Sequence, residues 1–409
     1  MSCYELHRVL YPLTKNIRSY DLPLTLKALG LEPLLCDLSC DASSDKAEDI
    51  ERLVQEIDRQ QADAVITHNF MIFAAIACAL KKIPYIAWSW DSPDIPLYHE
   101  SALLPTSFLF DFDRLQAEDS RKRGCPHVYH QPLAVNLSHA GQLVITPEDE
   151  ARFGCDVSFI GALYGEEDYL IPADVPEDVR KEAETVIREA TGIWDGTDRI
   201  SDRLSDDAIR ILGGSLAAKG KHTAEGVEFL VQRRSLEMRL LARRTAFLER
   251  TRLLARLAKY DLQFYTTAAD LRIEIPGVKS RPPLHYYNEV PKAYYLSRIN
   301  LNLTLHSIRS GVPLRVFDIL GVGGFLLSNY QPELEELFVI GRELEVFRDP
   351  EEMEDKIAFY LAHEEARQRI ALRGYERVRD HYTYEIQLAK ILDAVCREER
   401  WDGELELSE

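Results

Sequence analysis

Through the first third of the chain, short apolar runs alternate with amphipathic helical stretches, and this rhythm limits the fold more than any other feature. Residues 7–13 (HRVLYPL), 32–38 (EPLLCDL), 62–69 (ADAVITHN) and 83–90 (IPYIAWSW) read as buried strands. Between them lie three helical patterns. Residues 20–30 end at Gly30, a helix stop. Residues 47–60 place Ile50, Val54 and Ile57 on one stripe with charges opposite, and residues 71–82 form a third helix. Strands joined through helices run parallel, so the pattern predicts a doubly wound α/β sheet.

The rhythm continues through residues 107–113, 115–124 and 127–135, and the text becomes polar around 136–150. A new strand, CDVSFIGALY (155–164), opens a second α/β half, so the boundary is expected near 140–155. Residues 1–150 make the first domain and 151–383 the second, with a helical insert at about 176–260. Residues 384–409 form a closing helix and a charged tail. At 409 residues the chain is long enough for both cores.

A net charge of −19 makes phosphate backbones and anionic lipid poor partners, so no nucleic acid is expected. No run approaches the ~18 apolar residues of a membrane span, and the first residues do not resemble a signal peptide. The seven cysteines are odd in number and scattered, so ordinary reduced thiols in a cytoplasmic protein are expected.

The stretch NLNLTLHSIRSGVPLRVFDILGVGGFLLSN (300–329) carries the most chemistry. A strand ends near His306, a loop with Gly311 follows, and Pro313 opens a helix. Main-chain N–H groups at Val312, Pro313, Leu314 and Arg315 (Pro313 contributing only its fixed backbone angle) make a helix start suited to a diphosphate. Arg315 adds a planar cation, and Asp318, one turn on, suits two ribose hydroxyls. Arg315 and Asp318 equally fit a plain surface ion pair, and Gly321, Gly323 and Gly324 a simple helix stop.

Residues 285–383, with HYYNEVPKAYYLSRINLNLTLH, GVPLRVFDILGVGGFLLSN and LEVFRDPEEMEDKIAFYLAHEEARQRIALRGYERV, resemble the carboxyl-terminal module of group 1 glycosyltransferases, in particular the CgeB-like (spore maturation) family. Residues 62–93, 109–136 and 155–164 resemble the amino-terminal domain often fused to it. The resemblance implies a GT-B fold of two Rossmann-like domains facing across a cleft, the second holding a nucleoside-diphosphate sugar and the first an acceptor. It assigns donor binding to Arg315 and Asp318 and requires no metal and no further cofactor. Many group 1 enzymes carry two glutamates eight positions apart here; in this chain the first falls on Ser310 and the second on Asp318.

In the first domain, His68 and Asp91 end strands at the expected carboxyl edge. Asp91 suits a general base for an acceptor hydroxyl, or an Asx turn or cap before Pro93; His68 suits a similar role, or a core position. Trp88 and Trp90 alternate, so one is expected to face a sugar unless both are core. Asn16 and Arg18 follow the first strand and are weak phosphate candidates, while DFD at 111–113 reads as structural. In the second domain Gly161 is a close-approach glycine, and Tyr265, His285 and Tyr287 are base or hinge contacts if they are not structural. The leading expectation is metal-independent sugar transfer to a protein, glycan or small-molecule acceptor. A nucleotide-sugar epimerase and a non-catalytic interaction protein of the same fold are the alternatives.

Overall fold

The computed structural model describes residues 6–14, 20–38, 40–137, 143–166, 169–217 and 227–397. Asn16 and Arg18 lie outside the described residues. The chain divides into two compact units, residues 1–132 with 384–409, and residues 133–383. This division falls before the boundary expected near 140–155. The closing helix Tyr384–Arg397 belongs to the first unit, where it buries Leu388 and Ile391 and lies beside the helix Asp21–Ala28.

The first unit holds a sheet of six parallel strands in the order β2-β1-β3-β4-β5-β6. These are β1 (Arg8–Leu13), β2 (Glu32–Asp37), β3 (Ala64–His68), β4 (Tyr85–Ser89), β5 (Ser107–Asp111) and β6 (His127–His130). Strands β3, β4 and β5 are buried along their whole length, which is why they read as continuous apolar runs rather than alternating ones. The helices Ala47–Gln60 and Ile72–Lys81 pack together against one face, around Leu53, Ile57, Phe73 and Ala77. Each ends on a left-handed residue, Gln61 and Lys82 respectively.

In the second unit the order is β12-β11-β10-β7-β8-β9, again parallel throughout. The strands are β7 (Cys155–Ile160), β8 (Leu262–Tyr265), β9 (Ser280–Arg281), β10 (Ser297–Asn302), β11 (Leu326–Asn329) and β12 (Glu345–Phe347). The chain builds outward from β7 to β9, then returns to place β10 on the other side of β7. The strand order therefore reverses between β7 and β10, and the carboxyl ends of those two strands mark the ligand-binding crevice of such a sheet. Strand β9 has only two residues, too few to leave a sequence pattern. A helix at Pro147–Phe153, capped by Thr146 and Asp149, lies where only polar text was legible.

The insert forms helices Glu177–Ala190, Asp206–Ala217 and Val227–Leu236, and a π-helical turn at Glu237–Ala242 leads into helix Arg243–Leu257. It has its own core of Val179, Ala183, Ile209, Leu212, Leu240 and Leu241. Among the described residues no helix is long and apolar enough to cross a membrane. The described cysteines are free thiols.

Candidate functional site

The helix after β10 spans Leu314–Gly321, with Pro313 as its N-cap rather than its first helical residue. Arg315 lies in the first turn and reaches back over the sheet. Its Nη1 donates to Asn302 Oδ1 at 3.1 Å, and its guanidinium lies 5.5 Å from the Phe159 ring centre. A Cβ on Gly161 would stand 2.9 Å from Arg315 Nη2, so a side chain there would evict the guanidinium. Gly161 is the residue after β7 and Asn302 the last of β10. Arg315 is thus seated at the point where the strand order reverses.

Asn302 is buried because the alternation NLNL sends Asn300 and Asn302 to one face and the leucines to the other. Its Nδ2 donates to Thr304 Oγ1 and Ser328 Oγ, both at 2.9 Å, so its carbonyl is locked toward Arg315. Asp318, half-buried one turn along, receives the Tyr286 hydroxyl across both carboxylate oxygens, at 3.1 Å each. A carboxylate has lone pairs beyond these, so Asp318 keeps acceptor capacity for ligand hydroxyls. Buried Tyr294 completes the group, its hydroxyl pushed up in pKa by burial while the Arg315 charge pulls it down and Asp318 raises it.

A second guanidinium, absent from the sequence expectations, supports this arrangement. Arg250 is buried, with its two Nη atoms donating to the carbonyls of Ala162 and Leu303. Those carbonyls belong to the loops just past β7 and β10, so Arg250 ties together the two loops that flank Arg315. Nothing in its arginine-rich helix distinguishes it; only the fold brings those loops to it.

Other expected residues take different places. The side chain of Val312 is buried, while Pro313 and Leu314 are half-buried, so the loop offers main chain rather than side chains to a ligand. His306 Nε2 pairs with Glu249 Oε1 at 2.9 Å. Burial alone would lower the His306 pKa, but the Glu249 carboxylate outweighs it and raises the pKa. Glu249 also accepts from Gly192 N at 2.8 Å, so it joins two parts of the insert while its pair with His306 ties the insert to this edge. Tyr265 is buried in a cluster with Phe153 and Ala293, its hydroxyl donating to Gln263 Oε1. Tyr287 stands edge-on to Tyr286 at 5.1 Å, and it is Tyr286 that reaches Asp318. His285 is exposed. Ser310 Oγ donates to buried Glu333 Oε1 at 2.7 Å, which brings a carboxylate to the position that carries a serine.

In the first unit, Asp91 is exposed at the carboxyl end of β4 and accepts from Asn69 Nδ2 at 2.7 Å. Asn69, in the left-handed region at φ 59°, also accepts from the Trp90 and Asp91 N–H groups, so one side chain shapes the turn. His68 is fully buried, and its Nδ1 meets the Tyr11 hydroxyl at 3.1 Å. Burial holds its imidazole well below the ordinary pKa, so it is neutral. Trp88 and Trp90 do not face opposite sides: residues two apart in an extended chain share a face, so alternation itself places the two rings together. Strand β4 ends at Ser89, and both rings gather at His68, Trp90 at 3.6 Å and Trp88 at 6.5 Å between ring centres. Asp111 and Asp113 are buried; Asp113 caps the helix Arg114–Lys122 and accepts from Ser92 Oγ at 2.7 Å. Among the described residues no group of three or more histidine, cysteine or acidic side chains is placed to hold a metal ion.

Residues 243–393, which include Arg250, Arg315 and Asp318, match a family model described as glycosyl transferase-like. No curated protein matches the chain. Among solved structures the chain is similar to a glycosyltransferase from Rickettsia africae, at 9% identity and a TM-score of 0.51, over 97% of this chain and 100% of that one. It is also similar to HepE from Anabaena in complex with UDP and glucose, at 9% identity and a TM-score of 0.50, over 95% and 100%. A UDP-GlcNAc 2-epimerase from Neisseria meningitidis bound to UDP-GlcNAc aligns at 11% identity and a TM-score of 0.47, over 96% and 100%. The fold is α/β of the GT-B type, two Rossmann-like units with a helical elaboration in the second.

Proposed function

We propose that the protein is a glycosyltransferase of the CgeB-like branch of group 1, moving a hexosyl or N-acetylhexosaminyl group from a nucleoside-diphosphate sugar to an acceptor hydroxyl in the cytoplasm. The observation that carries this reading is the seat of Arg315 at the strand-order reversal, against Gly161 and Asn302, with Asp318 one turn along the same helix. The first-turn N–H groups of that helix have no intrahelical acceptors, and its dipole favours an anion there. The diphosphate rests on this helix start and on Arg315, and the ribose hydroxyls on Asp318. When the sugar–phosphate bond breaks, the charge growing on the leaving diphosphate meets Arg315 and the helix dipole, which serve in place of a metal ion.

On the first unit, the proposed general base is Asp91, whose exposed carboxylate is steadied by Asn69. His68, buried and neutral, shapes the wall beside it rather than exchanging protons with solvent.

Calorimetric titration with UDP, the nucleotide present in the Anabaena neighbour's structure, tests the donor site. Arg315→Ala is expected to weaken binding about tenfold or more, since it removes a charge-assisted contact. Wild-type protein without affinity for any nucleoside diphosphate would overturn the reading. UDP release that requires an acceptor and persists in EDTA supports metal-independent transfer, whereas interconversion of the donor without an acceptor identifies an epimerase. Asp91→Asn is expected to lower kcat by about 10²–10⁴-fold while leaving UDP affinity unchanged.

A further inference from the structure

A groove of about 460 Å³ runs along the outside of the insert, between the helices Glu177–Ala190 and Arg243–Leu257. Four arginines line it: Arg180, Arg188, Arg244 and Arg252. Their spacing follows from helix geometry. Arg244, Leu248 and Arg252 recur every four residues and share one stripe, and Arg180, Glu184 and Arg188 do the same on the facing helix. The floor between them is apolar, with Ile187 buried and Leu248 half-buried.

Three of these four arginines have no carboxylate partner among the described residues. Several other arginines of this chain, whose net charge is −19, pair with carboxylates: Arg199 with Asp195, Arg203 with Glu189, Arg233 with Asp206 and Arg256 with Glu351. Arg180 is held by the Pro172 carbonyl at 2.9 Å and stands 3.9 Å from Glu177. Arg188 donates to Thr185 Oγ1 at 3.1 Å, and among the described residues none of Arg188, Arg244 and Arg252 is in an ion pair. Burial pulls the Arg244 guanidinium below its ordinary pKa with no carboxylate set against it. The single acid in the lining is Glu184. Three guanidinium groups without carboxylate partners over an apolar floor, in a space within the size range of small-molecule sites, fit a ligand that is anionic at one part and aliphatic at another.

We propose that this groove binds a small amphipathic phosphate, its phosphomonoester head engaged by the arginines and its aliphatic body lying on Ile187 and Leu248. The site shares no lining residue with the Arg315 centre and does not depend on that centre's chemistry. It lies on the outer stripe of the helix whose other side presents Glu249 and Arg250.

Titration of the full chain with n-octyl phosphate, kept below its micellar concentration, tests the proposal. Saturable binding near one equivalent is expected. The charge reversal Arg188→Glu/Arg252→Glu is expected to weaken it about tenfold or more. Both residues are exposed, so the variant is expected to retain its circular dichroism spectrum; Arg252→Gln alone, expected to weaken binding by a smaller factor, serves if it does not. The proposal is overturned if wild type shows no saturable binding or if the folded variant binds equally well. It is also overturned if octyl glucoside matches octyl phosphate, since the charge would then be idle, or if inorganic phosphate does, since the apolar floor would be idle.

Discussion

At the scale of single residues, the first unit stores a conflict at Asp111. The side chain is fully buried, its Oδ1 accepts from Gln116 Nε2 at 3.2 Å, and its Oδ2 has no partner among the described residues. Burial, only partly offset by hydrogen bonding, pushes its carboxyl from 3.8 up to about 6. The sign follows from linkage: the native state holds the proton more tightly than the unfolded state, so ionisation costs stability between those two values. A rise of that size corresponds to roughly 3 kcal/mol. Asp111→Asn is therefore expected to gain stability relative to wild type as pH rises from about 4 to about 6, with a constant difference above. Urea unfolding of both proteins across that range checks it, and a difference that does not change with pH refutes it. His306 is the opposite case, since its raised pKa reflects a carboxylate partner that favours the charged form and so contributes most below neutrality.

At the scale of elements, close approach of backbones decides what a helix position tolerates. Gly374 sits inside the helix Glu364–His381, where alanine is intrinsically better by about 1 kcal/mol. Yet a Cβ at that position would lie 2.3 Å from the Glu343 carbonyl oxygen and 2.7 Å from Leu320 Cδ2. Leu320 belongs to the Arg315 helix, so this glycine lets one helix dock on the other. Gly374→Ala is expected to destabilise by about 1–3 kcal/mol, the cost of overpacking, despite its better propensity. A lowered urea midpoint is the expected readout, and a raised one would show that the Glu343 loop gives way. The boundaries of such elements were largely legible from sequence; the helix 47–60 is as read. This contact was not, because periodicity specifies which face of a helix is apolar and says nothing about how near a partner comes.

At the scale of the molecule, the chain leaves the first unit after residue 132 and returns to it at 384. The returning helix supplies Tyr384, whose ring packs 5.4 Å from Trp88 and 6.4 Å from His68, and Gln387, which accepts from Gln131 Nε2. Burying each of Tyr384, Leu388 and Ile391 is worth on the order of 1.5–3 kcal/mol. The sum is comparable to the whole stability of a typical domain. Deletion of residues 384–409 is thus expected to unfold the first unit and spare the second. Hydrogen exchange should show amide protection lost across β1–β6 and retained across β7–β12. Uniform protection in the truncated chain would contradict this.

Local text was enough to establish two parallel sheets, a helical insert, and an arginine and an acid one turn apart after the strongest strand of the second half. Those are consequences of periods of 2 and 3.6 residues and of which side chains water excludes, and both operate within a dozen residues. The convergence of Gly161, Arg250, Asn302 and Arg315 is not local, nor is the choice of Tyr286 over its neighbour Tyr287, nor the pairing of His306 with Glu249. Each depends on strand order and on which loops meet at the reversal between β7 and β10. Those contacts join residues between 13 and 154 positions apart. Only packing sets their distances, so only the tertiary structure decided them.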